Sequence, residues 1–279
     1  MTLGIVILNY NTADLTVDCL RSVLEDASQI SARIVIVDNG STDGSPQKLA
    51  AEIAGTPCVE LLPLPRNGGF ACGNNRGIER LGDADYLLLL NSDCIVHRGC
   101  LATCLKIMEA DKGIGVMSCL VKNADGSPQN VARKFPTPIR AILTTFGLPT
   151  RFPRVFAFAN TEDPNWDRTT CGRDVDWLGG AFFFIRGAVL QKCGPLDEEF
   201  FFYGEDIEFC HRVWKRGYRC HYDPSSSITH LGGGSNSPNQ QERRRRARDM
   251  VQRKCYGRFA AALVRCADAT AARMRAILR

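Results

Sequence analysis

Features that mark membrane and secreted proteins are missing from this chain of 279 residues. No apolar run reaches the roughly 18–20 residues that a membrane-spanning helix needs. The first residues contain neither a basic leader nor a small-residue cleavage site, so we expect residues 3–8 to form a buried strand rather than a signal peptide. The sequence therefore predicts a cytoplasmic protein.

Two phosphate-binding patterns are missing as well. Neither G-x-G-x-x-G nor G-x-x-x-x-G-K-S/T occurs, which argues against a dinucleotide-binding Rossmann site and against a P-loop. The glycine-rich residues 66–77 resemble a phosphate loop only loosely. Their glycines let a ligand approach the backbone closely, and Arg66 and Arg76 can pair with a phosphate.

Cysteine is abundant, but its pattern is not that of a disulfide framework. The thirteen cysteines are odd in number and scattered, and no C-x-x-C pair occurs. We expect most of them to be small buried apolar residues in a reducing compartment, with a structural zinc site as the alternative.

The chain carries its positive charge at one end. Residues 241–279 contain twelve Lys and Arg against three Asp and Glu, whereas the whole chain has a net charge of only +5. The preceding 240 residues are therefore mildly acidic. A basic tail indicates an anionic partner, either lipid headgroups or nucleic acid.

Short apolar runs alternate with amphipathic segments in the first 112 residues. The apolar runs are typical of strands buried on both faces, and they cover residues 3–8, 34–37 and 86–90. The predicted helices between them cover residues 13–26, 45–54 and 74–81. This alternation predicts a doubly wound α/β half, in which ligands bind at the carboxyl ends of the strands.

The second half is less regular. Residues 128–164 contain several prolines, and we expect an irregular segment that would suit a substrate lid or an acceptor loop. The other predicted elements are a strand at 114–120, an apolar run at 176–186, a helix at 204–216 and a short strand at 218–222.

Polar side chains follow two of the predicted strands. Asp38 ends the second strand, where a carboxylate can accept hydrogen bonds from a nucleobase or a ribose; the Ser- and Thr-rich residues after it equally suit a capped turn without a ligand. Asn91 and Asp93 end the strand at 86–90. Their oxygens are hard ligands that suit Mg²⁺ or Mn²⁺, and a strand-ending turn is the alternative.

Two further segments carry candidate chemistry. Glu205 and Asp206 follow a run of aromatic residues, where a carboxylate in a partly dry pocket can act as a general base. The same pair would also stabilise a helix N-terminus without any catalytic role. His230 ends a predicted strand and opens a glycine-rich loop, a position that favours a site residue over a structural histidine.

The order of these motifs closely resembles family 2 glycosyltransferases, and most of all the branch that contains rhamnosyltransferases. The motifs are N-Y-N at 9–11, V-D-N-G-S-T-D-G-S at 37–45, N-G-G-F-A-C-G-N-N-R-G at 67–77, L-L-L-N-S-D at 88–93, W-L-G-G-A at 177–181, F-F-Y-G-E-D at 201–206 and H-L-G-G-G-S at 230–235. The resemblance spans residues 3–235.

The resemblance implies an α/β protein of the GT-A fold, with a mainly parallel central sheet flanked by helices. Residues 1–112 would form the nucleotide-sugar-binding half of a domain that ends at residue 240, and residues 113–240 the acceptor-binding half. Residues 241–279 would form a basic helical tail. The implied reaction is a single displacement that inverts the anomeric carbon.

The resemblance also implies roles for individual residues. The expected nucleotide-sugar-binding residues are Tyr10, Asp38, Asn67, Asn74, Asn91 and Asp93. Tyr10 would lie against the base, Asp38 would bind uracil, thymine or ribose, and Asp93 would hold the metal and the diphosphate. Asn91 stands where many members of the wider superfamily have Asp, which removes one negative ligand from the metal site.

The remaining roles fall in the second half of the chain. Asp206 would deprotonate the acceptor hydroxyl, with Glu205 as a second candidate for that base, and His230 would complete the protein ligands of a Mg²⁺ or Mn²⁺ ion. The expected acceptor-binding residues are Trp177, Gly179 and Gly180.

The donor expected from the resemblance is a dTDP- or UDP-sugar, with dTDP-rhamnose first, and the acceptor a saccharide or a lipid-linked saccharide of the cell surface. A sugar-nucleotide pyrophosphorylase is a rival, but it should have a glycine-rich N-terminal loop with a basic residue. A non-catalytic nucleotide-sugar-binding module is a second rival. It would need Asp38 but not Asp93, Asp206 and His230 together.

The basic tail has a helical pattern of its own. Apolar residues from Tyr256 to Leu278 recur at three- and four-residue spacing, after the basic run 243–246. Such a helix can lie in a membrane interface, pack on the rest of the protein or pack on a second subunit. We expect no role in nucleic-acid binding.

Overall fold

The computed structural model describes residues 1–232 and 240–277. Within these residues the strands are β1 (Leu3–Asn9), β2 (Ala32–Asp38), β3 (Val59–Pro63), β4 (Tyr86–Asn91), β5 (Cys94–Val96), β6 (Ile114–Lys122), β7 (Ala132–Arg133), β8 (Arg173–Val175), β9 (Trp177–Leu178), β10 (Phe182–Arg186) and β11 (Arg219–His230). The helices are α1 (Ala13–Asp26), α2 (Ser45–Glu52), α3 (Phe70–Leu81), α4 (Cys100–Ala110), α5 (Pro138–Thr145), α6 (Leu148–Arg151), α7 (Pro153–Phe156), α8 (Gly187–Cys193), α9 (Glu205–Lys215), α10 (Gln240–Tyr256) and α11 (Arg258–Ile277).

One central sheet crosses both halves of the chain in the order β3-β2-β1-β4-β10-β6-β11-β5, with β8 beside β11. Strands β1 to β4 are all parallel. The apolar runs at 3–8, 34–37 and 86–90 predict this for β1, β2 and β4, which are buried on both faces. The same pattern does not predict β3, whose residues are mostly half-buried. Beyond β4 the sheet is mixed: β10 runs antiparallel to β4 and to β6, and β11 runs parallel to β6.

Helix α3 lies unusually close to the first two strands. A side-chain carbon on Gly73 would lie 2.4 Å from Cδ1 of Leu8, and one on Gly77 would lie 2.5 Å from Cγ1 of Val6. Only glycine permits this approach. The helix begins at Phe70 rather than at residue 74 as predicted, because glycine lowers helix propensity and hides the first turn from a sequence pattern.

The prediction of an irregular segment at 128–164 is wrong in part. Its prolines do not break helices; each of α5, α6 and α7 has a proline in its first turn. Proline suits that position because the first helical N–H groups have no partner within the helix. The predicted strand at 218–222 is likewise too short, since β11 continues to His230 through a register shift between Tyr222 and Ser227.

The basic tail forms two helices rather than one. Gly257 has φ +94°, a conformation that ends α10 at Tyr256 and lets the chain turn into α11. Both helices bury one side against the protein; the buried residues are Ala247, Val251, Gln252 and Cys255 in α10, and Ala261, Val264 and Ala271 in α11. Leu278, which the sequence pattern included, lies outside the described residues.

The cysteines are free thiols, and eight of the thirteen are buried. This confirms their predicted role as small apolar core residues. Among the helices of the described residues, none is long and apolar enough to cross a membrane.

Candidate active site

A cleft of about 450 Å³ opens at the carboxyl ends of β1, β2 and β4, the edge at which α/β sheets bind ligands. Its lining residues come from both halves of the chain and from the start of α10. They are Leu8, Tyr10, Thr12, Asn39, Asn67, Gly69, Phe70, Asn91, Ser92, Asp93, Phe201, Phe202, Tyr203, Gln240 and Arg243.

Asp38 is fixed beside this cleft by a buried hydrogen-bond network. Its carboxylate accepts hydrogen bonds from Nδ2 of Asn9 at 2.7 Å and from the backbone N–H of Ser41 at 3.0 Å. Oδ1 of Asn9 accepts a hydrogen bond from the Thr12 hydroxyl at 3.0 Å, and that hydroxyl lies 3.0 Å from the hydroxyl of Ser92. The ends of β1, β2 and β4 are therefore joined through side chains.

A pair of asparagines shapes the glycine-rich loop. Nδ2 of Asn39 donates to Oδ1 of Asn67 at 3.1 Å and to the carbonyl of Gly69 at 3.1 Å, and the backbone N–H of Gly68 donates back to Oδ1 of Asn39. The sequence motifs indicate a role for Asn67 but not for Asn39. The position of Asn39 directly after Asp38 is the one signal that could have indicated it.

Asp93, which lines the cleft, lies next to His230. Nε2 of His230 lies 3.2 Å from Oδ1 of Asp93 and 3.3 Å from Nδ2 of Asn91. Nδ1 of the same ring lies 2.9 Å from Oε1 of Gln129, whose amide nitrogen donates to the His230 carbonyl. Gln129 thus orients the imidazole ring so that Nε2 is directed at Asp93.

This donor set fits a divalent cation. One oxygen of Asp93, one ring nitrogen of His230 and the sulfur of Cys94 lie within 4.8 Å of one another. Burial, with Cys19 and Asp93 nearby, raises the pKa of the Cys94 thiol well above its ordinary value, so that it stays protonated and is a poor ligand. A carboxylate and an imidazole remain, with the side-chain amide of Asn91 beside them, and a carboxylate with an imidazole suits Mn²⁺ or Mg²⁺.

Asp206 lies at the start of α9. Burial raises the pKa of its carboxyl to about 6, against the opposing effect of the backbone N–H groups of Ile207 and Gly180 and the charge of Arg133. The neighbouring Glu205 is more deeply buried. Burial, and then the charge of Asp206, raise its pKa well above the ordinary value, and its Oε2 has no hydrogen-bond partner among the described residues.

Gly180 and Ala181 connect Asp206 to the cleft. The Gly180 backbone N–H is directed at the Asp206 carboxylate, and a side-chain carbon on Gly180 would lie 3.1 Å from the ring of Phe70, a lining residue. The next residue, Ala181, accepts a hydrogen bond from the backbone N–H of Asn91 at 3.1 Å. The structure therefore brings Asp38, Asp93, Asp206 and His230 to one region of the molecule.

Of the other expected site residues, Tyr10 and Asn67 line the cleft, and Tyr10 is 45% exposed. Asn74 is buried in α3, where its side chain donates a hydrogen bond to the carbonyl of Phe70. The indole N–H of Trp177 donates to the carbonyl of Lys134. Gly179 donates its backbone N–H to the carbonyl of Val131, which places it in the two-stranded β7–β9 sheet region.

The sequence patterns also give no site role to Gln129 or to Arg243. Gln129 stands in the proline-containing segment, where no pattern singles it out. Arg243 belongs to the basic run 243–246, which the sequence places in the tail, yet it lines the cleft. Gly233, Gly234 and Ser235 of the last motif lie outside the described residues.

Comparisons with known proteins identify the family of the chain. The model of glycosyl transferase family 2 matches residues 4–170, and a second model, of a glycosyltransferase (GlcNAc) family, matches residues 123–276. The first match covers more than half of the chain, and the chain therefore belongs to glycosyltransferase family 2.

Within that family the chain is similar to rhamnosyltransferases. It is 28% identical over 218 residues to the N-acetylglucosaminyl-diphospho-decaprenol L-rhamnosyltransferase of Mycobacterium tuberculosis, an alignment of 73% of this chain and 68% of the relative. It is also 28% identical over 178 residues to the rhamnosyltransferase WbbL of Escherichia coli, with 60% and 62% of the two chains aligned.

Solved structures confirm the predicted GT-A fold. The mannosyltransferase PcManGT from Pyrobaculum calidifontis, in complex with GDP-Man and Mn²⁺, superposes with a TM-score of 0.62 at 18% identity over 97% of this chain and 74% of its own. GalNAc-T7 with UDP, GalNAc and Mn²⁺ gives a TM-score of 0.63 at 17% identity over 83% of this chain. The present chain spans 44% of the GalNAc-T7 chain.

Proposed function

We propose that this glycosyltransferase transfers a sugar from a nucleoside-diphosphate donor to a hydroxyl of a cell-surface saccharide or glycolipid precursor, with inversion at the anomeric carbon. The observation that carries the proposal is the meeting of Asp93 with His230 beside one cleft, with Asp206 joined to the same region through Gly180 and Ala181. We infer a dTDP- or UDP-sugar as donor, with dTDP-rhamnose first because of the rhamnosyltransferase relatives.

The nucleoside would occupy the side of the cleft near β1 and β2. Tyr10 offers an exposed ring on which a base can stack, and Asp38 offers a fixed carboxylate for base or ribose donors. Asn67 would contact the donor from the opposite wall, with Asn74 supporting the same loop from α3. The preformed hydrogen bonds of Asp38 and Asn67 keep these groups in place before the donor arrives.

Asp206 would act as the general base. In the proposed step the acceptor oxygen forms a bond to the anomeric carbon while the bond to the diphosphate oxygen breaks. The electron pair of that bond leaves with the nucleoside diphosphate, and the hydroxyl proton passes to a carboxylate oxygen of Asp206. A pKa of about 6 leaves this carboxylate ionised at neutral pH yet more basic than an ordinary Asp.

Asp93 and His230, with Asn91 beside them, would hold a Mg²⁺ or Mn²⁺ ion. When bound, the cation supplies positive charge next to the diphosphate leaving group. Two structural relatives are complexes with Mn²⁺, which supports this assignment. Gln129 would position the imidazole rather than contact the donor.

The acceptor would enter over the W-L-G-G-A segment. Trp177, Gly179 and Gly180 precede the strand β10, and the Gly180 N–H is already directed at Asp206. An acceptor hydroxyl bound beside Gly180 would therefore lie next to the proposed base. A lipid-linked saccharide is the preferred acceptor because one relative is named for a decaprenol-linked substrate.

The exposed apolar surface of α11 also supports a lipid-linked acceptor. This helix exposes large apolar residues on the side that is not packed: Phe259, Leu263, Met274 and Ile277. On a helical wheel these four fall within about 60°, and four arginines lie elsewhere on the same helix. We propose that this face lies on the cytoplasmic side of an anionic membrane.

Thermal-shift measurements with nucleotide sugars test the donor assignment. The protein is titrated with dTDP-rhamnose, UDP-glucose, UDP-GlcNAc and GDP-mannose, each with and without Mn²⁺ or Mg²⁺. The correct donor raises the melting temperature through binding to the folded state, and the cation increases the shift. No shift with any nucleotide sugar in the presence of cation contradicts the proposed function.

A further inference from the structure

Large exposed apolar side chains concentrate in residues 138–159, the segment that contains α5, α6 and α7. Within the described part of the chain thirteen large apolar side chains are exposed, and five of them belong to this segment: Ile139, Phe146, Phe152, Val155 and Phe158. Single exposed apolar residues are common on soluble proteins, but a concentration of them marks an interaction surface. The segment is therefore a candidate for such a surface.

Packing within the protein does not account for these five side chains. The residues that the segment buries are small, namely Ala141, Pro149 and Ala159. Its contacts with the two C-terminal helices are polar: Arg248 of α10 donates to the Ala141 carbonyl at 3.0 Å and to the Thr145 hydroxyl at 2.8 Å. The Thr145 hydroxyl in turn donates to Asp268 of α11 at 2.7 Å. The segment is thus fixed in place while its large apolar side chains stay outside.

The charge of the segment indicates the kind of partner. Residues 138–159 contain three arginines and neither Asp nor Glu. Arg140 pairs with Asp176, whereas Arg151 and Arg154 are exposed. A two-fold interface with a second copy would bring these arginines next to their own counterparts, with no carboxylate of the segment to compensate them. Apolar, aromatic and basic side chains together suit the headgroup region of an anionic bilayer.

The segment is also joined to the proposed acceptor side of the site. The indole N–H of Trp177 donates to the Lys134 carbonyl at 3.0 Å, and the Phe135 backbone N–H donates to the Asp176 carboxylate at 2.6 Å. The guanidinium of Arg140, in α5, lies 3.5 Å from the same carboxylate. A partner that holds residues 138–159 would therefore also hold the W-L-G-G-A segment.

From these observations we propose that residues 138–159 form a second membrane-contact surface. Its apolar side chains insert between the headgroups of an anionic bilayer and keep the acceptor side of the cleft beside the membrane. The inference rests on the proposed function, because a lipid-linked acceptor stays in the bilayer while its sugar is glycosylated. The surface shares no residue with the exposed face of α11, so substitutions separate the two contributions.

Vesicle binding tests the apolar and the charged contributions separately. Co-sedimentation with vesicles of phosphatidylcholine, alone or with phosphatidylglycerol, is measured for the wild type, V155S/F158S and R151Q/R154Q. The first variant should bind the phosphatidylglycerol vesicles at least about tenfold more weakly, because two apolar groups no longer leave water. The second should lose roughly 10- to 30-fold on these vesicles and nothing on phosphatidylcholine alone.

The matched control is T144S/T150S, which changes two exposed residues of the same segment and keeps their hydroxyls. It should bind as the wild type does. Val155 and Phe158 are 65% and 55% exposed, so V155S/F158S should keep the melting temperature of the wild type. F158W reports insertion directly: its fluorescence should shift to shorter wavelengths on addition of phosphatidylglycerol vesicles, relative to the wild type, and brominated lipid should quench it.

Unchanged vesicle binding by V155S/F158S overturns the inference, as does an equal loss in T144S/T150S. A dimer in sedimentation velocity that V155S/F158S abolishes would assign the surface to a second copy and overturns it as well. The proposed function is tested independently, since none of these residues lines the cleft. A wild type that binds vesicles through this surface but shows no thermal shift with any nucleotide sugar would contradict the proposed function alone.

Discussion

The backbone N–H of Asn91 donates a hydrogen bond to the carbonyl of Ala181 at 3.1 Å. Asn91 ends β4, two residues before Asp93, and Ala181 follows the glycine whose N–H is directed at Asp206. The proposed metal ligand and the proposed base are therefore connected through adjacent backbone segments.

Replacing Asp206 with Asn should reduce transfer by roughly 10²- to 10⁴-fold, because the amide cannot accept the acceptor proton. Donor binding should stay within about threefold of the wild type, since Asp206 does not contact the nucleotide in the proposed arrangement. Turnover and donor affinity are measured on the same preparation. Transfer at the wild-type rate by D206N would remove Asp206 from the mechanism.

The pH dependence of kcat/KM should have an acid limb set by Asp206. Its folded pKa is raised to about 6, so the carboxylate becomes protonated as the pH falls through 6 and activity drops about tenfold per pH unit below that point. The E205Q variant separates the two carboxyls. Burial raises the pKa of the Glu205 carboxyl well above its ordinary value. In our proposal Asp206 alone sets the limb, so E205Q should retain it; loss of the limb would assign the base to Glu205.

The same shift predicts a stability difference. A carboxyl whose pKa is raised by folding stabilises the folded state when protonated, and this contribution is lost as the pH rises through about 6. The melting temperature of D206N should therefore equal or exceed that of the wild type at pH 7 to 8. A lower melting temperature would attribute its loss of activity to folding rather than to chemistry.

Loss of Asp93 or His230 should abolish cation-dependent donor binding. D93A and H230A each remove one of two strong ligands, and Mn²⁺ affinity in the presence of dTDP or UDP should fall steeply. Q129A should lower Mn²⁺ affinity by about 10- to 100-fold by releasing the His230 ring. Q129E keeps an acceptor for Nδ1 and should recover most of the affinity; equal loss in Q129A and Q129E would argue against this positioning role.

Substitution of Gly73 by Ala should destabilise the fold by about 1–3 kcal/mol, because the added carbon overlaps Leu8 at 2.4 Å and moves α3 away from β1. Chemical denaturation measures the change. Glu79→Ala, on the exposed side of the same helix, serves as the control and should change the free energy of unfolding by less than about 0.5 kcal/mol.

Membrane binding depends on the exposed face of α11 in our proposal. The double variant F259D/I277D changes two residues that are 77% and 83% exposed, so the fold should be retained. Co-sedimentation with vesicles that contain phosphatidylglycerol should fall at least tenfold relative to the wild type. Unchanged binding to these vesicles, or a wild type that dimerises through this face instead, would contradict the proposal.

Three of the four parallel strands are predictable from the sequence because each contains a continuous apolar run. Residues 3–8 and 86–90 match β1 and β4 to within a residue or two, whereas β3 contains Glu60 and has no such run. The second half is harder to predict: each of the helices α5 to α7 has a proline in its first turn, and β11 contains Pro224 at a register shift. Local patterns do not distinguish a proline that starts a helix from one that prevents it.

The candidate site shows the same division. Asp38 and Asp93 stand at strand ends, where topology alone places a ligand edge. Gln129 and Arg243 reach the site through packing of the second half and of α10, and such long-range contacts leave no periodic signal. The charge of the basic run 243–246 predicts an anionic partner but does not distinguish its four arginines. Only the folded structure shows that Arg243 lines the cleft.

The contact between Gly69 and Phe201 constrains how this enzyme can be re-engineered. A side-chain carbon on Gly69 would lie 2.3 Å from the carbonyl oxygen of Phe201, and that oxygen accepts the backbone N–H of Phe70. The donor-side loop and the aromatic segment before Asp206 are thus joined backbone to backbone. A hybrid in which only the first half is replaced must therefore carry a compatible 200–204 segment, because a shift of that segment would also move the proposed base Asp206.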